Sequence, residues 1–294
     1  MVVTDGAIFD DAEAIQERLR RAPGAEAQQE AAPTPTGPPP SRWTLRTIRV
    51  SLPQLQSYSL SGVWRVLHRC QLRLRSARVR HFSPDEAYLE KQAHLLACLR
   101  EAKQNPEKVG LVFLDEMGYY RWPEPGPEWG AKPPSDAPVA DRAGPNNKQW
   151  RIVGSLDALS GRVCFLDGYI VGRRQLIEFY GHLDQAYEQR ERLYVVQDNW
   201  SVHRHEEVMS ALEGRPGLVP VWLPTYAPWL NPLEKLWRWL RADVLTLHRL
   251  AGDWEELRRR VNGFLDQFAC GSSALLRYVG LLGEGKLAAA LKSS

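Results

Sequence analysis

Apolar side chains recur in two rhythms along this chain, one helical and one extended, and the change between them divides a small front part from a larger body. Leu45, Ile48 and Leu52 follow i, i+3, i+7 and stop at Pro53; after a short connection Ser59 can cap a second helix whose Leu60, Val63, Leu67 and Cys70 form one stripe. The other side of that second helix carries Ser61, Trp64, Arg65, His68 and Arg69. Two short helices joined by a turn, the second polar and basic outside, predict a helix-turn-helix or winged-helix-like unit. Ser83-Pro84-Asp85-Glu86 reads as a capping box with proline at the first helical position. It predicts a helix to about Gln104 that buries Tyr88, Leu95 and Leu99 and breaks at Asn105-Pro106.

From Val109 the rhythm changes. Val109 to Leu114 is a continuous apolar run, suited to a strand covered on both faces, and it ends on Asp115. Residues 121 to 149 read as a long Pro- and Gly-containing loop. Strands are predicted over Trp150 to Leu156 and Arg162 to Asp167, joined by a turn around Ala158 to Gly161. A helix from Arg173 to about Gln189, the strand Leu193 to Gln197, a helix over Arg204 to Leu212 and the strand Leu218 to Leu223 follow. Next comes a helix with Glu234 in its first turn and Leu233, Leu236, Leu240, Val244 and Leu247 facing inward. Asp253 caps another helix that ends near Cys270, and a short helix follows it. Adjacent strands followed by alternation with helices predict a mixed α/β sheet. At the other end, residues 8 to 22 suit a short amphipathic helix, and Pro33 to Pro40 an extended linker. The expected organisation is an acidic, Pro-rich segment over 1–40, a basic helical unit over 41–82, a connecting helix over 83–106 and a large α/β domain over 107–294.

Composition sharpens this picture at three points. The chain has 294 residues and 33.5 kDa, 44% of them apolar, enough for one large domain and a small one. Its four cysteines form no C-x-x-C pair, which excludes a zinc ribbon or a disulfide framework and suits a reducing cytoplasm. Without an apolar run of membrane-spanning length or the basic-then-apolar order of a signal peptide, a soluble intracellular protein with no membrane partner is expected. The net charge of +3 hides an uneven spread: residues 1–40 carry seven acids and three arginines, whereas Ala31 to Pro84 holds no acid and nine arginines. Such a stretch expects a polyanion. Arg65, His68 and Arg69 on the second helix, with the tail Arg73, Arg75, Arg78 and Arg80, are the candidate contacts to double-stranded DNA.

Three carboxylates sit where a sheet can gather them: Asp115 and Asp198 after apolar strands, and Glu234 at a helix start. Phosphodiester cleavage needs a nucleophile made at neutral pH and charge relief on the phosphate; two Mg²⁺ ions about 3.5–4 Å apart supply both. Mg²⁺ prefers hard oxygen ligands, and bound cations remove the repulsion among clustered acids. Asp115, Asp198 and Glu234 are therefore the candidate catalytic and metal-binding residues. Glu116 alternates to the opposite side of the strand and reads as structural. Asp157 and Asp167 read as solvated turn acids, His203 as a helix-start residue, Trp237 and Trp239 as packing, and Trp229 as a candidate for stacking on a base.

The residues around these acids resemble the insertion sequence 630 family of bacterial transposases, relatives of the mariner elements. The resemblance lies in Leu114-Asp115-Glu116, in Gln197-Asp198-Asn199 with His203 shortly after, and in Pro224-x-Tyr226-x-Pro228-x-x-Asn231-Pro232-x-Glu234 followed by Trp237. Asp198 and Glu234 are separated by 35 residues, like the second and third acids of that family's Asp-Asp-Glu triad. The resemblance covers roughly Trp43 to Ala269. It implies an RNase H-like core, with Asp115 and Asp198 on neighbouring central strands and Glu234 on a following helix. It also implies strand cleavage at element ends dependent on Mg²⁺, with Mn²⁺ as a substitute, followed by attack of the freed 3′-hydroxyl on target DNA. Asn199, His203 and Asn231 then become groups that support the metal ligands or touch DNA. A homodimer on paired ends, insertion at a TA dinucleotide and a nucleoid-bound location in a bacterial cytoplasm are further implications. Family members usually carry two helix-turn-helix units, and only the second is recognisable here. That leaves two rivals: a truncated, inactive DNA-binding protein that represses, and a general nuclease of the same fold.

Overall fold

The computed structural model describes residues 43–74, 82–128, 138–144, 146–283 and 287. The expectations for residues 1–42 and for Arg75, Arg78 and Arg80 lie outside the described residues. The chain divides into two compact units, Met1–Val79 and Arg80–Ser294.

In the small unit, α1 spans Leu45–Ser51, a short 3₁₀ turn spans Pro53–Leu55, and α2 spans Leu60–Arg69. Thr44 and Thr47 close a reciprocal cap on α1, and Ser59 Oγ accepts the Gly62 N–H at 3.1 Å on α2. Caps of this kind are worth about 1 kcal/mol each. Ile48, Leu52, Leu55, Val63, Val66, Leu67 and Cys70 form the core between the helices. α2 ends on Gln71 at φ 61°, with the Leu72 N–H reaching back to the Leu67 carbonyl at 2.8 Å. This is the left-handed stop that glycine usually supplies.

In the large unit, α3 (Tyr88–Gln104) precedes β1 (Val109–Tyr120), β2 (Gln149–Asp157) and β3 (Val163–Gly168). Then come α4 (Arg173–Ala186), β4 (Arg192–Gln197), α5 (Glu206–Glu213) and β5 (Leu218–Trp222). α6 (Leu233–Leu240), α7 (Trp254–Asp266) and α8 (Ser273–Val279) complete the unit. The five strands lie in the order β3-β2-β1-β4-β5; β1 to β3 are antiparallel neighbours, and β4 and β5 run parallel to β1. Alternation along β1 sends Leu111, Phe113, Met117 and Tyr119 toward α3, α6, α7 and α8, and Val112 and Leu114 toward α4 and α5. The helix expected to be a connector thus lends Leu95, Cys98, Leu99 and Ala102 to the core of the sheet domain. Among the described residues no helix is long and apolar enough to cross a membrane.

Several local expectations need correcting. The capping box at Ser83 does not form: α3 starts at Tyr88, while Asp85 accepts the Ala87 and Thr225 N–H groups and pairs with Lys91 at 2.7 Å. Those contacts, Lys91 first, hold the Asp85 carboxyl down to about 2. β1 does not end at Asp115 but runs on to Tyr120, because β2 pairs with it through Tyr120↔Gln149. α6 stops at Leu240 and widens into a π turn over Arg241–Leu245, whose extra residue buries Leu245 in the core while Val244 packs partly buried against it. Asp157 is buried; it accepts the Leu159 and Ser160 N–H groups and the Tyr187 hydroxyl, so it is no solvated turn acid. Asp167 likewise holds the Trp150 indole N–H at 2.8 Å and Arg258 at 3.1 Å.

Candidate active site

Strand register brings the first two acids together. β1 and β4 pair in parallel up to Phe113↔Val196. Asp115 and Asp198 each lie two residues beyond that pair, so two equal steps along adjacent parallel strands carry both to the same level, where the ladder opens. Asp115 remains paired on its other side, to Gly154 of β2. Asp198 follows the last residue of β4; its side chain is 54% exposed, and its Oδ1 accepts the Trp200 N–H at 2.9 Å.

The third acid arrives through the loop before α6. Asn231 is buried; its Nδ2 donates to the Leu114 carbonyl at 3.1 Å and its Oδ1 accepts the Leu233 N–H at 3.1 Å. One amide therefore both accepts the first N–H of α6 and ties that helix to the residue before Asp115. Leu233, Leu236 and Trp237 pack inward, leaving Glu234 on the exposed side of the first turn. The Trp237 indole donates to Asp115 Oδ2 at 3.0 Å. The edge of its six-membered ring reaches Gly154, where an added Cβ would meet the ring at 2.8 Å. A glycine opposite Asp115 is thus required by close approach.

The acids feel one another. Burial, then the charges of Glu116, Glu234 and Asp198, push the Asp115 carboxyl well above its ordinary range. Burial also raises Glu234, with Arg238 and Arg241 opposing and Asp198 adding to the shift. A groove of about 250 Å³ adjoins them, lined by Glu116, Met117, Gly118, Glu234, Trp237, Arg238 and Arg241. Arg241 is engaged with the Gly118 carbonyl at 3.1 Å and with Glu124. Among the described residues, no three His, Cys, Asp or Glu side chains converge closely enough, as they stand, to hold a metal ion. The three acids are electrostatic neighbours and not a closed cage. Their chemistry nevertheless fits a hard divalent cation: every donor is a carboxylate oxygen, and the mutual repulsion is what a bound cation relieves.

The remaining candidates have definite places. Asn199 Nδ2 donates to the Leu223 carbonyl at 2.6 Å and its Oδ1 accepts from Arg204, joining the ends of β4 and β5. His203 lies in the turn before α5, not at the helix start, and bonds Glu116 at 2.9 Å. Trp229 is half-buried and donates its indole N–H to the Tyr88 hydroxyl at 3.0 Å, a packed position. In the small unit, Trp64, Arg65, Arg69 and Arg73 are exposed and His68 half-exposed, with the Trp64 and His68 rings 3.9 Å apart. Sequence reasoning passed over Gly154 and Arg238, and it treated Glu116 as structural and Trp237 as packing. Only the four-residue step from Glu234 to Arg238 carried a signal, since it puts both on one helix face.

Known proteins resemble this chain in sequence and in fold. A family model described as DDE superfamily endonuclease matches residues 110–258, half of the chain and all of the sheet but its first residue. The "Insertion element IS630 uncharacterized 39 kDa protein" of Shigella sonnei is 24% identical over 229 residues, covering 77% of this chain. The aligned region is 64% of that relative, so the chain spans just under two thirds of its length. Among solved structures, the Mos1 transposase paired-end complex with left transposon end superposes with a TM-score of 0.62 at 17% identity, covering 96% of this chain and 78% of that one. The Mos1 mariner paired end complex with Mn does so with a TM-score of 0.57 at 18% identity, covering 96% and 86%. At such identities the structural likeness is one of fold, and the fold is RNase H-like. Together with the sheet order and the family match across it, this makes the chain a member of the DDE superfamily endonucleases.

Proposed function

We propose that this protein is a DNA transposase that cuts DNA at element ends and joins the freed 3′-hydroxyl to a target, using Asp115, Asp198 and Glu234 to hold divalent cations. The observation that carries the reading is the register: two aspartates, two residues past the same β1–β4 pair, with a glutamate on a helix hydrogen-bonded to the first strand through Asn231. Mg²⁺, or Mn²⁺ in its place, would supply charge relief on the phosphate and an activated oxygen nucleophile, water for cleavage and the 3′-hydroxyl for joining. Two ions per site are in keeping with that chemistry.

The chain's own groups do the rest. Asp115 is oriented by the Trp237 indole, and its raised proton affinity makes it the carboxylate with most to gain from a cation. Glu234 stands at the start of α6, with Arg238 one turn along as a positive neighbour for a phosphodiester. Asn231 keeps that helix in step with β1. The exposed face of α2, with Arg65, His68 and Arg69, lies in the major groove of double-stranded DNA, while Arg73 meets the backbone. In the sequence, Arg75, Arg78 and Arg80 follow as further candidate contacts to the backbone. Two copies act together, one on each end.

A Mg²⁺-dependent nicking assay on DNA carrying the element ends tests the reading. Wild-type protein nicks at the ends, while Asp198→Ala reduces nicking to the level seen in EDTA. Undiminished cleavage by that variant removes the assignment, and cleavage without end preference turns the reading toward a general nuclease.

A further inference from the structure

The segment after β4 is tied back to β1 by the side chain of His203. Asp198 is more than half exposed, yet five residues later the His203 side chain is only 1% exposed. Its Nε2 lies 2.9 Å from Glu116 Oε1 and 3.9 Å from Asp198 Oδ1. Two carboxylates face Nε2, so the proton resides there and is donated to Glu116. Nδ1 is buried and has no partner. Glu116 directly follows Asp115, but alternation turns it to the α4 side of the sheet. On that side Tyr180 of α4 donates to Gln197 Oε1 at 2.7 Å, anchoring the last residue of β4. The His203–Glu116 bond is the next tie outward, at the level of the acids. It closes a ring of fixed lengths: Asp115 to Glu116 by one peptide bond, Glu116 to His203 by one hydrogen bond, and His203 back to Asp198 through four intervening residues.

We propose that Glu116 and His203 form a strut that sets the distance of Asp198 from Asp115, both acting as positioning residues. The proposal rests on the reading of Asp115 and Asp198 as cation ligands. Asp198 lies beyond the last hydrogen-bonded rung of β4, so backbone pairing does not define where its carboxylate stands. Asn199 ties the segment toward β5, away from Asp115, and the strut supplies the tie in the opposite direction. A buried imidazole bonded to a carboxylate on the neighbouring strand holds a ligand-bearing loop more exactly than apolar packing, because its length and direction are both specified.

The test is a titration of the full chain with Mn²⁺ alone, free ion being read by electron paramagnetic resonance, with melting temperature recorded for each variant. His203→Ala and Glu116→Ala are expected to weaken Mn²⁺ binding by about 10- to 100-fold. The double variant is expected to be no weaker than either single one, since both remove the same bond. Glu116→Gln keeps an oxygen that accepts from Nε2 and is expected to bind Mn²⁺ like wild type. Wild-type affinity in both alanine variants, even with a lowered melting temperature, overturns the strut. So does Glu116→Gln binding as weakly as Glu116→Ala, because Glu116 would then be a ligand itself. Should His203→Ala fail to fold, Glu116→Ala breaks the bond from its more accessible end and decides the matter. Unweakened Mn²⁺ binding by Asp198→Ala is a different result, which removes the ligand assignment and not the strut.

Discussion

The small basic unit and the large sheet unit place their chemistry in opposite ways. In the small one, every element is set by neighbours within a few residues: Thr44 with Thr47, Ser59 with Gly62, Gln71 and Leu72 with the turn before them. Its candidate DNA contacts are simply the face of α2 that the core does not use. In the large one, the candidate acids are 83 and 36 positions apart in the chain and become electrostatic neighbours through strand register and one buried amide. A surface made locally tolerates change residue by residue, whereas a site made by long-range register carries a repulsion among its acids that local sequence does not relieve.

The largest expected effect lies on the long-range side. Asp115→Asn abolishes metal-dependent nicking and, in EDTA, raises the melting temperature. The sign follows from the carboxyl's raised proton affinity. A carboxylate pushed up in the folded state gives stability that falls as pH rises from about 4, the unfolded value, toward the folded value. Urea midpoints measured in EDTA from pH 4 upward should therefore slope downward in wild type and flatten in Asp115→Asn. The gain at pH 7, if about 1 kcal/mol, is about 2–4 °C for a domain of this size. An unchanged slope would mean that the acids do not repel as described. Asp85 provides the opposite sign: Lys91 and the Thr225 N–H hold it down to about 2, so its contribution is lost as pH falls below about 4.

An intermediate effect is expected in the small unit. Arg65→Ala with Arg69→Ala should lower the slope of log affinity against log salt by about two units, one for each lost phosphate contact. An unaltered slope would take α2 out of the DNA interface and leave the sheet unit without its reader. The smallest effect is local. Gln71→Gly removes a side chain held at φ 61° and should stabilise the small unit by up to about 1 kcal/mol, read as a rise in its melting temperature with no change in nicking.

Much of this could be read before folding. The stripe Val63, Leu67, Cys70, the Ser59 and Asp253 caps and the strand centres all stand where periodicity and capping chemistry put them. These features depend on contacts within one or two turns, which is the range over which sequence spacing is informative. The misses share a different cause. β1 outlasts Asp115 because β2 is there to pair with it, α6 changes phase at a π turn, and Ser83 is drawn away from its helix by the Thr225 carbonyl. Gly154, Trp237 and Glu116 escaped as site residues because each gains its meaning from a partner on another element.

Residue order and spacing alone singled out the candidate acids, the family resemblance and the basic face of α2, because hard-cation chemistry and polyanion binding would each demand particular side chains whatever the surroundings. Three-dimensional packing settled how those residues relate: which pair stands level at the end of the β1–β4 ladder, which one is shielded and pushed toward its protonated form, and that Glu116 pairs with His203. Register, burial and the direction of a side chain off a pleated strand are properties of neighbours brought from far along the chain, and a linear pattern does not contain them.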